Sequence, residues 1–159
     1  MNQIIVDIAA LEVSANPEDT LVTYSLGSCL GIVVYDPTLR VGGMMHCMLP
    51  LSSVDAQKAK DKPSMFVDTG MTILLTRLFE MGVTKKNAVV KVAGGSCVLD
   101  KQGLFRIGER NYTIFRKIMW KNGLMIAAEH IGGEVTRTIR LNIGTGLLTI
   151  KIDGQEYEL

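Results

Sequence analysis

The sequence predicts an α+β protein. Runs rich in Ile, Val and Leu that suit strands cluster toward both ends of the chain, two helix-patterned stretches lie between them, and the last strand-like runs meet at an Asp-Gly step, a strong hairpin signal. A doubly wound parallel sheet would instead alternate strand and helix along the whole chain.

Gln3 to Val13 reads as one strand, followed by loop chemistry from Ser14 to Thr20 around Asn16-Pro17-Glu18-Asp19. Leu21 to Leu26 is a short strand, Gly27-Ser28 a break, and Leu30 to Tyr35 a β-branched strand. Asp36-Pro37-Thr38-Leu39, with Pro second, favours a type I turn, after which Val41 to Leu49 returns as a strand with a bulge expected at Gly42-Gly43. Residues 51–64 mix charges with little apolar content and read as a surface excursion. From Ser64 or Asp68 to Met81, the apolar residues Val67, Met71, Leu74, Leu75 and Leu78 recur at helical spacing, and Gly82 supplies the stop. Ala88 to Ala93 is a buried-strand candidate ended by Gly94-Gly95, and Ser96 to Gly103 is loop. Gly108 to Asn122 is a second helix with Tyr112, Phe115, Ile118 and Met119 on one face. Leu124 to His130, Val135 to Ile143, Leu147 to Ile152 and Gln155 to Leu159 complete about eight strands.

With 159 residues, 47% apolar and 21% charged, the chain has a globular composition, and one domain spanning 1–159 is expected to bury its core without disulfides or metal. Seventeen basic against sixteen acidic residues, with neither sign dominating a long segment, argue against a nucleic-acid footprint. No run approaches the ~18 apolar residues of a membrane span and the N-terminus lacks a basic leader, so a cytoplasmic protein without membrane insertion is expected. Three cysteines, an odd number without CxxC spacing, argue against a disulfide framework and against a zinc site.

The chemistry concentrates between Thr23 and Pro50. Cys29 on its own reads as a buried structural thiol or as a nucleophile. Gly27-Ser28 favours the second reading, because a tight bend at a strand end exposes the next side chain and gathers backbone N–H groups as an oxyanion site requires. His46 is the candidate base. If Asp36 and Leu39 flank the turn, the hairpin register sets Cys29 directly opposite His46 on one face, whereas a bulge at Gly42-Gly43 would turn the histidine away. A Cys-His pair needs a third group to orient the imidazole; Thr23 has the parity to share a strand face with Cys29, though threonine is also common in strands for packing. Cys47 points to the opposite face as a core thiol, Cys97 reads as passive, and His130 as a strand-end histidine or a second base. Ile107 to Asn111 is either helix-start chemistry or a loop presenting Arg110 and Asn111 to a substrate or partner.

The motifs LGSCLGIVVYD and GGMMHCMLP, with FVDTGMTILL, KVAGGS, IGERN and IGGEVTRTIRLNIGTG following in order, resemble the chemoreceptor glutamine deamidase family, CheD, over roughly residues 20–152. The resemblance implies packed mixed or antiparallel β-sheets flanked by two main helices, similar to the catalytic domain of the cytotoxic necrotizing factor toxins. It implies an amidohydrolase, without cofactor, that converts receptor glutamines to glutamate, with Cys29 as nucleophile, His46 as base and Thr23 orienting the ring. Methyl-accepting chemotaxis receptors are the implied substrates and the phosphatase CheC an implied partner; a binding module serving CheC with little catalysis is the alternative. The chain departs from the family pattern at Ser96, Cys97, His130 and Thr136.

Overall fold

The computed structural model describes residues 1–98 and 103–159. Its strands form two five-stranded mixed sheets. The first contains β1 (Asn2–Ile5), β3 (Asp19–Leu26), β8 (Arg137–Asn142), β9 (Leu148–Ile152) and β10 (Gln155–Glu158), in the order β1-β3-β8-β9-β10. The second contains β2 (Leu11–Ser14), β4 (Leu30–Asp36), β5 (Val41–Cys47), β6 (Val89–Gly94) and β7 (Ile126–Ile131), in the order β2-β5-β4-β6-β7. Only the β1–β3 and β6–β7 pairs are parallel among the described residues. The α+β expectation holds.

The sheets pack face to face, and the helices α2 (Val67–Glu80) and α3 (Ile107–Lys121) cover the other face of the second sheet. The pleat of β4 shows why this strand is apolar throughout: Val33 and Tyr35 enter the core shared with the first sheet, while Ile32 and Val34 pack toward the helices. The predicted stripe of α2 is buried as a set, and Phe115 and Met119 bury the inner face of α3.

Four expectations change. Gln3 to Val13 is two strands in different sheets, separated by a turn in which Ala9 has φ 63°. The excursion after Pro50 carries a six-residue helix, α1 (Ala56–Asp61), capped by Asp55 accepting from the Lys58 N–H at 3.0 Å. Gly42-Gly43 makes no bulge, since the β4–β5 ladder runs without a shift from Asp36↔Val41 to Leu30↔Cys47. Both glycines instead allow close packing: a Cβ at Gly43 would come within 2.7 Å of Leu74, and one at Gly42 within 2.8 Å of the Tyr35 ring. The hairpin register itself differs by two residues, because Arg40 at φ 57° lengthens the turn and donates its N–H to the Asp36 carbonyl at 2.8 Å. His46 therefore pairs with Gly31, and the directly opposed Cys29–His46 pairing is not formed. A two-residue shift preserves the face, so Cys29 and His46 both stay on the side toward the first sheet. The loop expected from Ser96 to Gly103 lies partly outside the described residues.

Candidate active site

Gly27-Ser28-Cys29 is the crossover by which the chain leaves β3 in one sheet and enters β4 in the other. All three carbonyls of the crossover are held. Gly27 O accepts from Ser96 N at 2.9 Å, Cys29 O from Gly95 N at 2.9 Å, and Ser28 O from Asn111 Nδ2 at 3.0 Å. Gly94, at φ 114°, makes the Gly95–Cys29 approach possible, because any Cβ there would collide with the Cys29 carbonyl oxygen. Outside the strand ladders, no backbone–backbone hydrogen bond among the described residues uses the N–H groups of Gly27, Ser28 or Cys29, and the Cys29 N–H lies against its own sulfur. The crossover thus fixes its acceptors on the protein and keeps the N–H groups of Gly27 and Ser28 as candidate donors to an oxyanion.

His46 lies on β5 and Thr23 on β3, so their contact spans the two sheets. Thr23 Oγ1 stands 2.7 Å from His46 Nδ1 and donates its one proton to the Val6 carbonyl at 2.7 Å. The hydroxyl can then only accept from the ring, which assigns the hydrogen to Nδ1 and leaves the Nε2 lone pair free. Nε2 is buried without a hydrogen-bond partner. The turn between β1 and β2 holds the same histidine by its backbone: Ala9 N donates to His46 O at 2.9 Å and His46 N to Ala10 O at 3.0 Å. At 1% exposure the ring is out of water, and burial lowers its pKa to about 4, so it is neutral above that pH. Thr23 reaches the ring from the opposite sheet, not from a strand face shared with Cys29 as expected.

Cys29 is half-buried at the margin of the inter-sheet core, two residues from the Gly31 that faces His46. Burial raises its thiol pKa, opposed by its own backbone N–H. No hydrogen bond joins its sulfur to His46; Cys-His contacts in active sites commonly tighten only when substrate binds. A cleft of about 1320 Å³ opens beside the crossover, with Gly27, Ser28, Ser96, Phe105, Gly132 and Thr136 on its wall; neither Cys29 nor His46 lines it.

The other candidates are scattered. Cys47 is buried on the helix side, where burial pushes its thiol pKa up strongly, as its opposite-face assignment requires. Cys97 lines the cleft and donates its N–H to Gly133 O at 2.8 Å. His130 Nδ1 accepts from Arg137 Nε at 2.8 Å. Residues Ile107 to Asn111 form the first turn of α3, not a loop. Arg110 is exposed and lines a separate cleft of about 250 Å³ with Pro50 and Leu51. Asn111 is fully buried and faces the crossover. Sequence reasoning missed Val6 and the Ala9–Ala10 turn, whose contribution comes through backbone atoms and leaves no side-chain signal. Among the described residues no cluster of His, Cys, Asp or Glu is arranged to hold a metal ion, and no helix is long and apolar enough to cross a membrane.

Residues 48–152 match a family described as CheD chemotactic sensory transduction. The chain is 47% identical to the probable chemoreceptor glutamine deamidase CheD 1 of Syntrophus aciditrophicus, over 97% of this chain and 96% of that protein. It is 43% identical to the probable chemoreceptor glutamine deamidase CheD of Solibacter usitatus, over 100% and 94% of the two chains. For the probable chemoreceptor glutamine deamidase CheD 2 of Anaeromyxobacter dehalogenans the identity is 40%, over 98% of each. The family match starts beyond His46, but these relatives extend across Thr23, Cys29 and His46 as well. With matches of this length and identity, the chain belongs to the CheD family.

Proposed function

We propose that this protein is a protein-glutamine deamidase acting on chemotaxis receptors, with Cys29 as nucleophile, His46 as general base and Thr23 as the residue that orients the imidazole. The supporting observation is the Thr23–His46 contact, which presents a neutral imidazole with its Nε2 lone pair unoccupied on the face that also carries Cys29. His46 Nε2 takes the Cys29 proton as sulfur attacks the carbonyl carbon of the glutamine carboxamide. The oxyanion is held by N–H groups of the Gly27–Cys29 crossover. Collapse of the tetrahedral intermediate returns the proton to the leaving nitrogen, releasing ammonia and forming a thioester. His46 then deprotonates water, which attacks the thioester; collapse expels the Cys29 sulfur, which regains the proton, and leaves glutamate.

The site would work in the cytoplasm, where receptor signalling helices lie, and the reading includes CheC as a partner that competes with receptor, an inference that rests on the family resemblance alone. The test is incubation with purified receptor cytoplasmic fragments, following amide-to-acid conversion by peptide mass and released ammonia. Wild type should convert defined glutamines and Cys29→Ala should not. Equal conversion by both would remove Cys29 from the mechanism; no conversion by wild type together with tight CheC binding would favour the binding-module reading.

A further inference from the structure

We infer that Asn111 is a positioning residue for the nucleophile: its side-chain amide ties the Cys29 crossover to the strand end that carries His46. This inference rests on the catalytic reading of Cys29 and His46 given above.

The β4–β5 ladder ends at Leu30↔Cys47, so Cys29 and Met48 are the first positions beyond the last rung. There the two chain segments would be free to separate. Asn111 Nδ2 donates to Ser28 O at 3.0 Å and to Met48 O at 3.0 Å, one carbonyl on each segment. The amide does the work of a missing rung. Of the three crossover carbonyls, Gly27 O and Cys29 O are held by the backbone of the Gly95-Ser96 turn, and Ser28 O alone depends on a side chain.

The amide is well placed to be rigid. Asn111 has no exposed surface and belongs to the first turn of α3, whose backbone is pressed against the same turn: a Cβ on Gly108 would come within 2.5 Å of the Gly95 carbonyl. An –NH₂ group offers two donors to two acceptors; a carboxylate in the same place would set its charge against both carbonyls, and an aliphatic side chain would leave both unpaired. The oxygen, Oδ1, is buried without a partner, so the side chain is retained despite an unpaired acceptor.

The experiment measures receptor deamidation and, separately, the pH dependence of iodoacetamide alkylation at Cys29, resolved from Cys47 and Cys97 by peptide mass, in wild type, Asn111→Asp, Asn111→Ser and the exposed control Thr113→Ala. The expected result for Asn111→Asp near pH 8 is a kcat lower by on the order of 100-fold, the scale of a ~1 Å displacement, with KM within about twofold. Relative to wild type at the same pH, its activity and Cys29 reactivity should rise toward the wild-type values as pH falls toward 5.5, because a protonated carboxyl regains one donor; the ratio of Thr113→Ala to wild type should not change with pH. Asn111→Ser, with one donor, should fall between. Unchanged kcat and Cys29 reactivity in both Asn111 variants would overturn the inference. So would a rise in KM alone, or losses that only track the fraction unfolded in thermal melts. Conversion by Cys29→Ala would instead defeat the catalytic reading itself, whatever Asn111 does.

Discussion

The base role proposed for His46 depends on its tautomer, and Thr23 sets that tautomer with a single proton. Its hydroxyl gives that proton to Val6 O and receives one from Nδ1, so the tautomer is set by a backbone carbonyl two bonds removed from the chemistry. Thr23→Val keeps the shape and removes both bonds. We expect a fall in kcat of ~10²-fold, at the lower end of what positioned general bases contribute, with KM little changed. Stability should drop by about 1–3 kcal/mol, because Val6 O and Nδ1–H are left unpaired in the core. Thr23→Ser should retain most of both. If Thr23→Val kept wild-type kcat in the receptor-fragment assay, the hydroxyl would be packing and the imidazole would be oriented by its backbone clamp alone.

At the scale of elements, most strands and both long helices were readable because their signals are local. The β-branched run of β4 and the 3-to-4 spacing of α2 are carried by neighbouring residues. What could not be read is which strands share a sheet. The crossover at residues 7–10 is hidden inside what reads as one strand, and the one at residues 27–29 looks like an ordinary break, yet each moves the chain from one sheet to the other. The predicted Cys29–His46 register missed because the turn is longer than its Pro suggests, Arg40 taking the left-handed conformation usually left to glycine. The face survived the error only because the shift was even. Asn111 stands out in the sequence as a residue presented to a substrate or partner, but its contacts were unreadable for a different reason: its two acceptors are 83 and 63 residues away in the chain. The end of β6 offers a test of this scale. Gly94→Ala forces a Cβ into the Cys29 carbonyl at a φ of 114° that suits glycine alone. The expected cost is about 1–3 kcal/mol in denaturant unfolding, with a larger proportional loss of deamidation than Gly82→Ala, which also imposes a side chain on a positive φ, 98°, but at the end of α2, where its Cβ would meet only Leu39. Equal effects from the two would mean that the Gly94 contact does not set the position of Cys29.

For the whole molecule, the site doubles as a joint between the sheets. The shared core holds them together by apolar packing, with Leu21, Ile139 and Leu141 from one side against Val33 and Met44 from the other. Within that interface, the Thr23–His46 hydrogen bond is a polar link from sheet to sheet. The burial of His46 in that interface makes the sandwich sensitive to acid. The folded His46 has a pKa near 4, below its value of 6.5 in an unfolded chain. Between those two values the unfolded state binds more protons, so folding stability is fully supported by this residue above about pH 6.5, declines as pH falls toward 4, and loses no more below that. A displacement of this size corresponds to about 3 kcal/mol as an upper figure. Urea unfolding at a series of pH values should show wild type losing stability through this window. In His46→Asn, which is neutral throughout, the decline should be smaller by up to that amount. Parallel curves for the two proteins would show that the imidazole is not the group that acid attacks, and that its low affinity for protons does not extend from the site to the packing of the sheets.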